Sequence, residues 1–134
     1  MTIPAEPGEA AAPLEILLVD DHEDTRIILR HYLEAKGFTV REARDGEFAL
    51  AELRVRRPAA MILDIQMPRL DGIGVLHAVR ADDALRSLPV LALSAHALAD
   101  EVRQIRDAGA DVYLAKPTDP KSVVAALRTL IANG

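Results

Sequence analysis

The chain has 134 residues, half of them hydrophobic and only 3% aromatic, with a formal charge of −5. This size favours one domain with an aliphatic core, and the charge argues against nonspecific nucleic-acid binding and against docking on a membrane surface. The chain has no cysteine, which excludes disulfides and thiolate chemistry. Neither a membrane-spanning apolar run nor a signal-peptide pattern is present in the sequence, so we expect a cytoplasmic protein.

Five strand patterns alternate with five helical patterns along the chain. Residues 1–14 are rich in Ala, Pro and Glu and lack periodicity, which predicts a disordered lead-in to a domain over residues 15–134. The predicted strands cover residues 15–19, 38–43, 59–64, 89–94 and 111–116. The predicted helices cover residues 25–36, a segment from Asp45 to Pro58, and residues 72–80, 97–108 and 120–132.

Local signals indicate several helix ends. Gly37 stands where a left-handed C-terminal cap belongs, and the fourth helix stops at Gly109. Asp119 is a good N-cap, with Pro120 at the first helical position. On the inward side of the second helix we place Phe48, Ala49 and Leu53.

The alternation of strands and helices predicts an α/β fold with a doubly wound parallel sheet covered by helices on both faces. Four strands are continuously apolar, as expected for buried parallel strands. The strand at 38–43, FTVREA, is mixed in polarity. We therefore place it at an edge of the sheet.

Polar residues stand at the carboxyl ends of four strands. Asp20 and Asp21 follow the first strand, Asp64 ends the third, Ser94 ends the fourth and Lys116 ends the fifth. Carboxyl ends of parallel strands lie on one edge of the sheet, where open α/β sheets bind ligands. We expect these five residues to meet in one crevice.

The residue types in this crevice predict phosphoryl chemistry. Three ionised carboxylates repel each other and need a cation, and a set of oxygen ligands favours Mg²⁺. A lysine can neutralise phosphate oxygens as a point charge. A carboxylate that attacks phosphorus gives an aspartyl phosphate, and Asp64 is the residue we predict to accept the phosphoryl group.

The polar strand ends lie in four short motifs, which are LVDD (residues 18–21), LDIQMPRLDG (63–72), LSA (93–95) and AKP (115–117). In order and spacing the chain resembles the receiver domain of bacterial two-component response regulators over residues 15–131. This resemblance implies a flavodoxin-like sheet with strand order 2-1-3-4-5, as in the stand-alone chemotaxis regulator of the family.

The resemblance also implies roles for individual residues. Asp64 is expected to accept a phosphoryl group from a phosphohistidine on a sensor histidine kinase or a histidine phosphotransfer protein. Asp21 and Asp64 are expected to bind the Mg²⁺ cofactor directly. Asp20 would act through water, and Gln66 through its backbone carbonyl.

A second set of implied roles concerns the readout. Ser94 and Lys116 would contact the phosphoryl group, and Ser94 and Tyr113 would act as the switch. The Lys116–Pro117 bond is expected to be cis. Thr118 departs from the pattern, because many relatives have a larger apolar residue there. A downstream effector protein would bind the face formed by the fourth helix, fifth strand and fifth helix, on a monomer or weak dimer.

Simpler interpretations exist for some of these residues. Asp20–Asp21 could cap the first helix, and Asp71 fits a helix N-cap better than a ligand. His22 and His96 are candidate metal ligands or proton shuttles, but the oxygen-rich set favours the carboxylates. In the family, the positions of His96 and Gln66 modulate loss of the phosphoryl group.

Two other functions compete with a stand-alone response regulator. One is a phosphatase or phosphotransferase that uses an aspartyl phosphate. Such an enzyme needs a covered substrate pocket, whereas the predicted loops are short, so we expect no turnover of an external substrate. The other is a degenerate receiver that acts as an adaptor, which the intact set of acids, serine and lysine argues against.

Overall fold

The computed structural model of the protein describes residues 13–67, 71–95 and 98–133. Strands and helices alternate throughout: β1 (Glu15–Val19), α1 (Glu23–Ala35), β2 (Thr39–Ala43), α2 (Gly46–Val55), β3 (Ala60–Asp64), α3 (Gly72–Ala81), β4 (Val90–Ser94), α4 (Ala99–Ala108), β5 (Val112–Ala115) and α5 (Pro120–Asn133). The predicted lead-in falls mostly on residues 1–12, outside the described residues. None of the helices within the described ranges is both long and apolar enough to span a membrane.

The strands form one parallel sheet in the order β2-β1-β3-β4-β5, which confirms the predicted fold. Val19, the last residue of β1, pairs with Ala43 on one side and Leu63 on the other. Asp64 at the end of β3 pairs with Leu93. This register brings the carboxyl ends of the strands to one level, so side chains that follow them share one edge.

Alternating strand residues supply two cores. On one face, Leu17 and Val19 pack with apolar residues of α2, α3 and α4. On the other, Ile16 and Leu18 pack with α1 and α5. These strand residues are completely buried. Burial on both faces explains why β1 reads as a continuous apolar run, whereas β2 at the edge leaves Arg41 and Glu42 half-buried.

Capping side chains define several helix starts. Asp45, Asp71 and Asp119 each accept a hydrogen bond from the backbone N–H three residues later, at 2.9, 2.9 and 2.7 Å. Asp71 is therefore an N-cap, as its sequence context predicts. Gly37 and Gly109 have φ of +97° and +119°, the left-handed conformation expected after α1 and α4.

The structure excludes one alternative interpretation of Asp20–Asp21 and corrects one prediction, the inward placement of Phe48. Asp20–Asp21 does not cap α1, because the helix begins at Glu23 and His22 occupies the N-cap position without a side-chain cap. Phe48 does not face inward: it is 43% exposed, and its ring centroid lies 4.3 Å from the Arg44 guanidinium carbon. The buried stripe of α2 is narrow and consists of small or aliphatic residues, so the larger ring stays outside and stacks on the cation.

Candidate active site

The carboxyl edge of the sheet gathers the residues that the sequence predicts to meet. The Lys116 Nζ atom lies 3.1 Å from Asp20 Oδ2 and 3.4 Å from Asp64 Oδ2. A backbone hydrogen bond links the ends of the fourth and fifth strands in the same region: the Lys116 N–H donates to the Ser94 carbonyl at 2.8 Å. The side chains that follow β1, β3 and β5 therefore converge on one small volume, with Ser94 of β4 at its side.

Hydrogen bonds hold the buried side chain of Asp20 in the crevice. Its side chain is 1% exposed. One carboxylate oxygen accepts the His22 backbone N–H at 2.8 Å, and the other accepts from Lys116 at 3.1 Å. A buried carboxylate requires such partners. Both oxygens of the Asp20 carboxylate thus have hydrogen-bond partners within the protein itself.

Asp64 is almost completely buried at the end of β3. Burial, and then repulsion from Asp20, raises the pKa of the Asp64 carboxyl to about 6, although Lys116 and the Gln66 backbone N–H pull it down. That N–H donates to Asp64 Oδ1 at 3.2 Å. The other oxygen, Oδ2, has no hydrogen-bond partner within the described part of the chain, and it forms an ion pair with Lys116 Nζ at 3.4 Å.

The oxygen atoms in the crevice fit a divalent cation. Atoms of Asp20, Asp21, His22 and Asp64 all lie within 4.8 Å of one another. Oδ1 of Asp21 is buried and, like Asp64 Oδ2, has no hydrogen-bond partner among the residues described. Buried carboxylate oxygens without donors are costly unless a cation compensates them. The donors are mostly hard oxygens, which suits Mg²⁺.

His22 is the nitrogen member of this group. Its Nδ1 atom lies 3.2 Å from both Asp20 Oδ1 and Asp21 Oδ1, but its side chain is 67% exposed. The ring thus covers the rim of the acid cluster from the solvent side. His96, the other histidine considered as a ligand, lies outside the described residues.

The Gln66 side chain forms a bridge that the sequence did not reveal. Its Nε2 atom donates to Ser94 Oγ at 2.7 Å, and its Oε1 atom accepts the Ala95 backbone N–H at 3.1 Å. A backbone N–H can only donate, so the amide orientation is fixed and Ser94 must be the acceptor. The interpretation from sequence considered only the backbone carbonyl of Gln66, because a side-chain contact between two strand ends has no local signature.

The predicted switch residues lie next to this bridge. Ser94 is completely buried, and Tyr113 is half-buried against the core formed with α2, α3 and α4. The peptide bond between Lys116 and Pro117 is cis. Thr118, the departure from the family pattern, is half-buried.

A doubly wound sheet with three acids and one lysine at its carboxyl edge fits a class of protein domain in which a carboxylate accepts a phosphoryl group. The response regulator receiver domain family matches residues 16–128 of the chain. The chain belongs to this family, and the family expectation from the four sequence motifs is confirmed.

Individual relatives support the assignment. Response regulator MprA of Mycolicibacterium vanbaalenii is 41% identical over 121 residues, which cover 89% of this chain and 51% of MprA. The chain thus spans about half the length of that relative. The polar-differentiation response regulator DivK of Brucella anthropi is 30% identical over 121 residues, which cover 90% of this chain and 98% of DivK.

A solved structure is similar in fold. It is the receiver domain of sensor histidine kinase PA1611 from Pseudomonas aeruginosa PAO1, which has a magnesium ion coordinated in its active-site cleft. The TM-score is 0.84 and the sequence identity 31%, and the match covers 90% of this chain and 99% of that one.

Proposed function

We propose that Asp64 accepts the phosphoryl group and that the donor is a phosphohistidine of a sensor histidine kinase or a histidine phosphotransfer protein. The observation that carries this proposal is the buried Asp64 carboxylate, whose Oδ2 atom lacks a hydrogen bond and stands 3.4 Å from Lys116 Nζ. A nucleophilic oxygen beside a fixed cation is the arrangement that phosphoryl transfer to a carboxylate requires.

In the proposed step, an Asp64 carboxylate oxygen forms a bond to phosphorus while the phosphorus–nitrogen bond of the donor histidine breaks. The bonding electron pair stays on the imidazole nitrogen, which then takes up a proton. Lys116 neutralises charge on the transferred oxygens, and the Ser94 hydroxyl donates a hydrogen bond to one of them. The pKa of about 6 leaves most Asp64 ionised at neutral pH.

The reaction is proposed to depend on Mg²⁺. Asp21 and Asp64 would bind the ion directly, Asp20 would act through water, and Gln66 would contribute its backbone carbonyl. When bound, Mg²⁺ neutralises charge on the acids and on the incoming phosphoryl oxygens. Support comes from the buried oxygens of Asp21 and Asp64 that have no hydrogen-bond partner among the described residues.

The surface beside the crevice favours a protein as donor. A groove of about 370 Å³ opens next to Lys116, and its lining is largely apolar and includes Ile28, Leu29, Pro117 and Pro120. Ile28 is 59% exposed on α1. A small phosphorylated metabolite would need charged groups there, whereas an amphipathic helix that carries the histidine would bury this apolar surface.

We further propose that phosphorylation changes the surface formed by α4, β5 and α5. New charge on Asp64 would draw Ser94 inward, and Tyr113 would then change rotamer, so that an effector protein binds one state better. Tyr113→Ala is expected to alter effector binding severalfold while phosphorylation proceeds at nearly the wild-type rate. Loss of phosphorylation in this variant would make Tyr113 a structural residue.

We propose that the chain acts as a stand-alone response regulator, as its likeness to DivK over 98% of DivK suggests. We propose that it works in the cytoplasm as a monomer or weak dimer, without turnover of an external substrate and without binding nucleic acid directly. It would serve as a terminal switch or as an intermediate of a phosphorelay. A phosphatase-like enzyme would instead release phosphate from added phosphoesters over many cycles, which a phosphate-release assay distinguishes.

Labelling tests the site directly. With Mg²⁺ and acetyl phosphate, intact-protein mass spectrometry should show one added phosphoryl group on the wild type and none on Asp64→Ala. Asp71→Ala is the matched control, since Asp71 is an exposed acid that caps α3, and it should be labelled like the wild type. Equal labelling of wild type and Asp64→Ala would falsify the assignment.

A further inference from the structure

Arg26 of α1 touches neither the phosphoryl site nor the metal donors, yet it contacts the backbone between two of them. We propose that Arg26 is a positioning residue that fixes the peptide unit joining Asp20 to Asp21 and thereby sets the geometry of the cation site. The inference rests on the proposed Mg²⁺ site and adds a residue that acts on it through the main chain.

Two hydrogen bonds hold the Arg26 guanidinium in one orientation. Its Nη1 atom donates to the Asp20 backbone carbonyl at 2.6 Å, and its Nε atom donates to the Glu42 carboxylate at 2.9 Å. The side chain is only 14% exposed. Because a guanidinium is planar and rigid, fixing one edge on Glu42 also fixes the direction of the other.

Glu42 is itself a firm anchor. It lies in β2 and also binds Arg30, so one carboxylate joins two arginines of α1. Burial opposes its charge, but hydrogen bonds from Arg30 and Arg26 hold the pKa of Glu42 below its usual range. The Glu42 carboxylate therefore stays ionised at neutral pH and continues to accept the hydrogen bond from Arg26.

Both backbone groups of Asp20 are consequently tied to the end of β2. The Asp20 N–H donates directly to the Ala43 carbonyl at 3.1 Å, and the Asp20 carbonyl is held through Arg26 and Glu42. The carbonyl belongs to the planar peptide unit that contains the Asp21 nitrogen. Arg26 thus determines the direction in which the chain enters Asp21.

Asp21 needs this support more than Asp20 does. The Asp20 carboxylate is already held by the His22 N–H and by Lys116. Oδ1 of Asp21 has no hydrogen bond in the described part of the chain. It lies 3.2 Å from His22 Nδ1, but that histidine side chain is 67% exposed and is a weaker support than the partners of Asp20. The position of the Asp21 carboxylate therefore depends on its backbone, and metal affinity falls when groups that orient the ligands are lost.

Charge and geometry predict opposite results when Arg26 is removed. Taking a positive charge away from an acid cluster should strengthen Mg²⁺ binding by Coulomb attraction alone. Loss of the fixed peptide unit should weaken it. The sign of the change therefore distinguishes a positioning role from a purely electrostatic one.

The test is a Mg²⁺ titration of the full chain, followed by the backbone amide resonances of residues 20–23 in ¹H–¹⁵N NMR spectra. We expect Arg26→Met to bind Mg²⁺ about tenfold more weakly than wild type. Arg26→Lys should remain weak, because one ammonium cannot reproduce the two-sided contact. Arg30→Met removes the same charge one turn further along α1 but leaves the Asp20 contact intact, so its affinity should stay within about twofold of wild type.

A second readout needs no metal. In EDTA, the Asp21 amide resonance should shift and exchange faster with solvent in Arg26→Met, but not in Arg30→Met, while both variants keep the circular dichroism spectrum of the wild type. Wild-type or tighter Mg²⁺ affinity in Arg26→Met would overturn the inference, and so would an unchanged Asp21 amide. Failure of the wild type to bind Mg²⁺ would instead overturn the proposed metal site, and the inference with it.

Discussion

The negative charge of Asp64 destabilises the folded state. The side chain is almost fully buried, and Asp20 stands close enough to repel it. Lys116 offsets only part of this cost, since the pKa of Asp64 still rises from 3.8 to about 6. A buried carboxylate that stays ionised lowers stability, and the proposed role of Asp64 as a nucleophile accounts for keeping it.

This cost predicts a pH-dependent gain from Asp64→Asn. The folded protein binds the Asp64 proton more tightly than the unfolded chain, so the free energy of unfolding falls as pH rises from about 4 to about 6 and stays low above that. The side chain of Asp64→Asn does not titrate, so this decrease in the free energy of unfolding is absent from the variant. In EDTA at pH 7 it should be more stable than wild type by about 3 kcal/mol, and the gain should vanish as the pH falls below about 4.

Urea unfolding of both proteins at several pH values measures the difference. Asp71→Asn is the control, because the same chemical change at an exposed N-cap preserves the cap and should alter stability by less than about 0.5 kcal/mol at every pH. A gain from Asp64→Asn that did not change between pH 4 and pH 7 would contradict the electrostatic cause.

At the scale of elements, the start of α3 is pressed against the end of β3. Gly72 N–H donates to the Ile65 carbonyl at 3.1 Å. A Cβ atom on Gly72 would stand 2.6 Å from Ile65 Cα and 2.9 Å from the Asp64 carbonyl. These neighbours are main-chain atoms that cannot rotate away, so only glycine lets the helix approach the strand that carries Asp64, the proposed phosphoacceptor.

Gly72→Ala should therefore act on both stability and labelling. We expect a loss of about 2 kcal/mol in the free energy of unfolding, together with slower labelling by acetyl phosphate, since the displaced strand end carries Asp64. Gly37→Ala provides the comparison: its φ of +97° strains alanine, but its Cβ would meet nothing within 4 Å. It should cost about 1 kcal/mol and leave the labelling rate unchanged; equal slowing in both variants would implicate stability alone.

The sequence was most informative about the secondary-structure elements. The apolar strand runs predict β1 with correct bounds, and each of the other four strands begins one residue later than predicted. Parallel topology then brings Asp20, Asp64 and Lys116 together, because strand ends are fixed by register. Phe48 was misplaced since apolarity alone does not decide which residue of a short amphipathic turn faces inward.

The side-chain contacts of Gln66 and Arg26 could not be predicted in this way. Each joins residues that are far apart in sequence, from Gln66 to Ser94 and from Arg26 to Glu42. Such contacts depend on rotamers and on the distance between strand ends, which periodicity does not encode. Sequence thus indicated the reactive groups, and the structure adds the groups that hold them.

On the scale of the whole molecule, the acid cluster links cation binding to folding. The chain carries a net charge of −5, and Asp20, Asp21 and Asp64 come within 4.8 Å of one another only when β1 and β3 are paired. The unfolded chain lacks this cluster, so a cation that fits it binds the folded state and stabilises it by mass action.

Mg²⁺ should therefore raise the free energy of unfolding by about 1.4 kcal/mol at ten times its dissociation constant. Urea unfolding with and without MgCl₂, at ionic strength matched with NaCl, measures the effect and removes general screening. Asp21→Asn deletes one acid without opening a cavity, so it should be at least as stable as wild type in EDTA and respond weakly to Mg²⁺. An equal Mg²⁺ response in wild type and Asp21→Asn would mean that the ion acts on the overall negative charge, and that the three acids do not form a site.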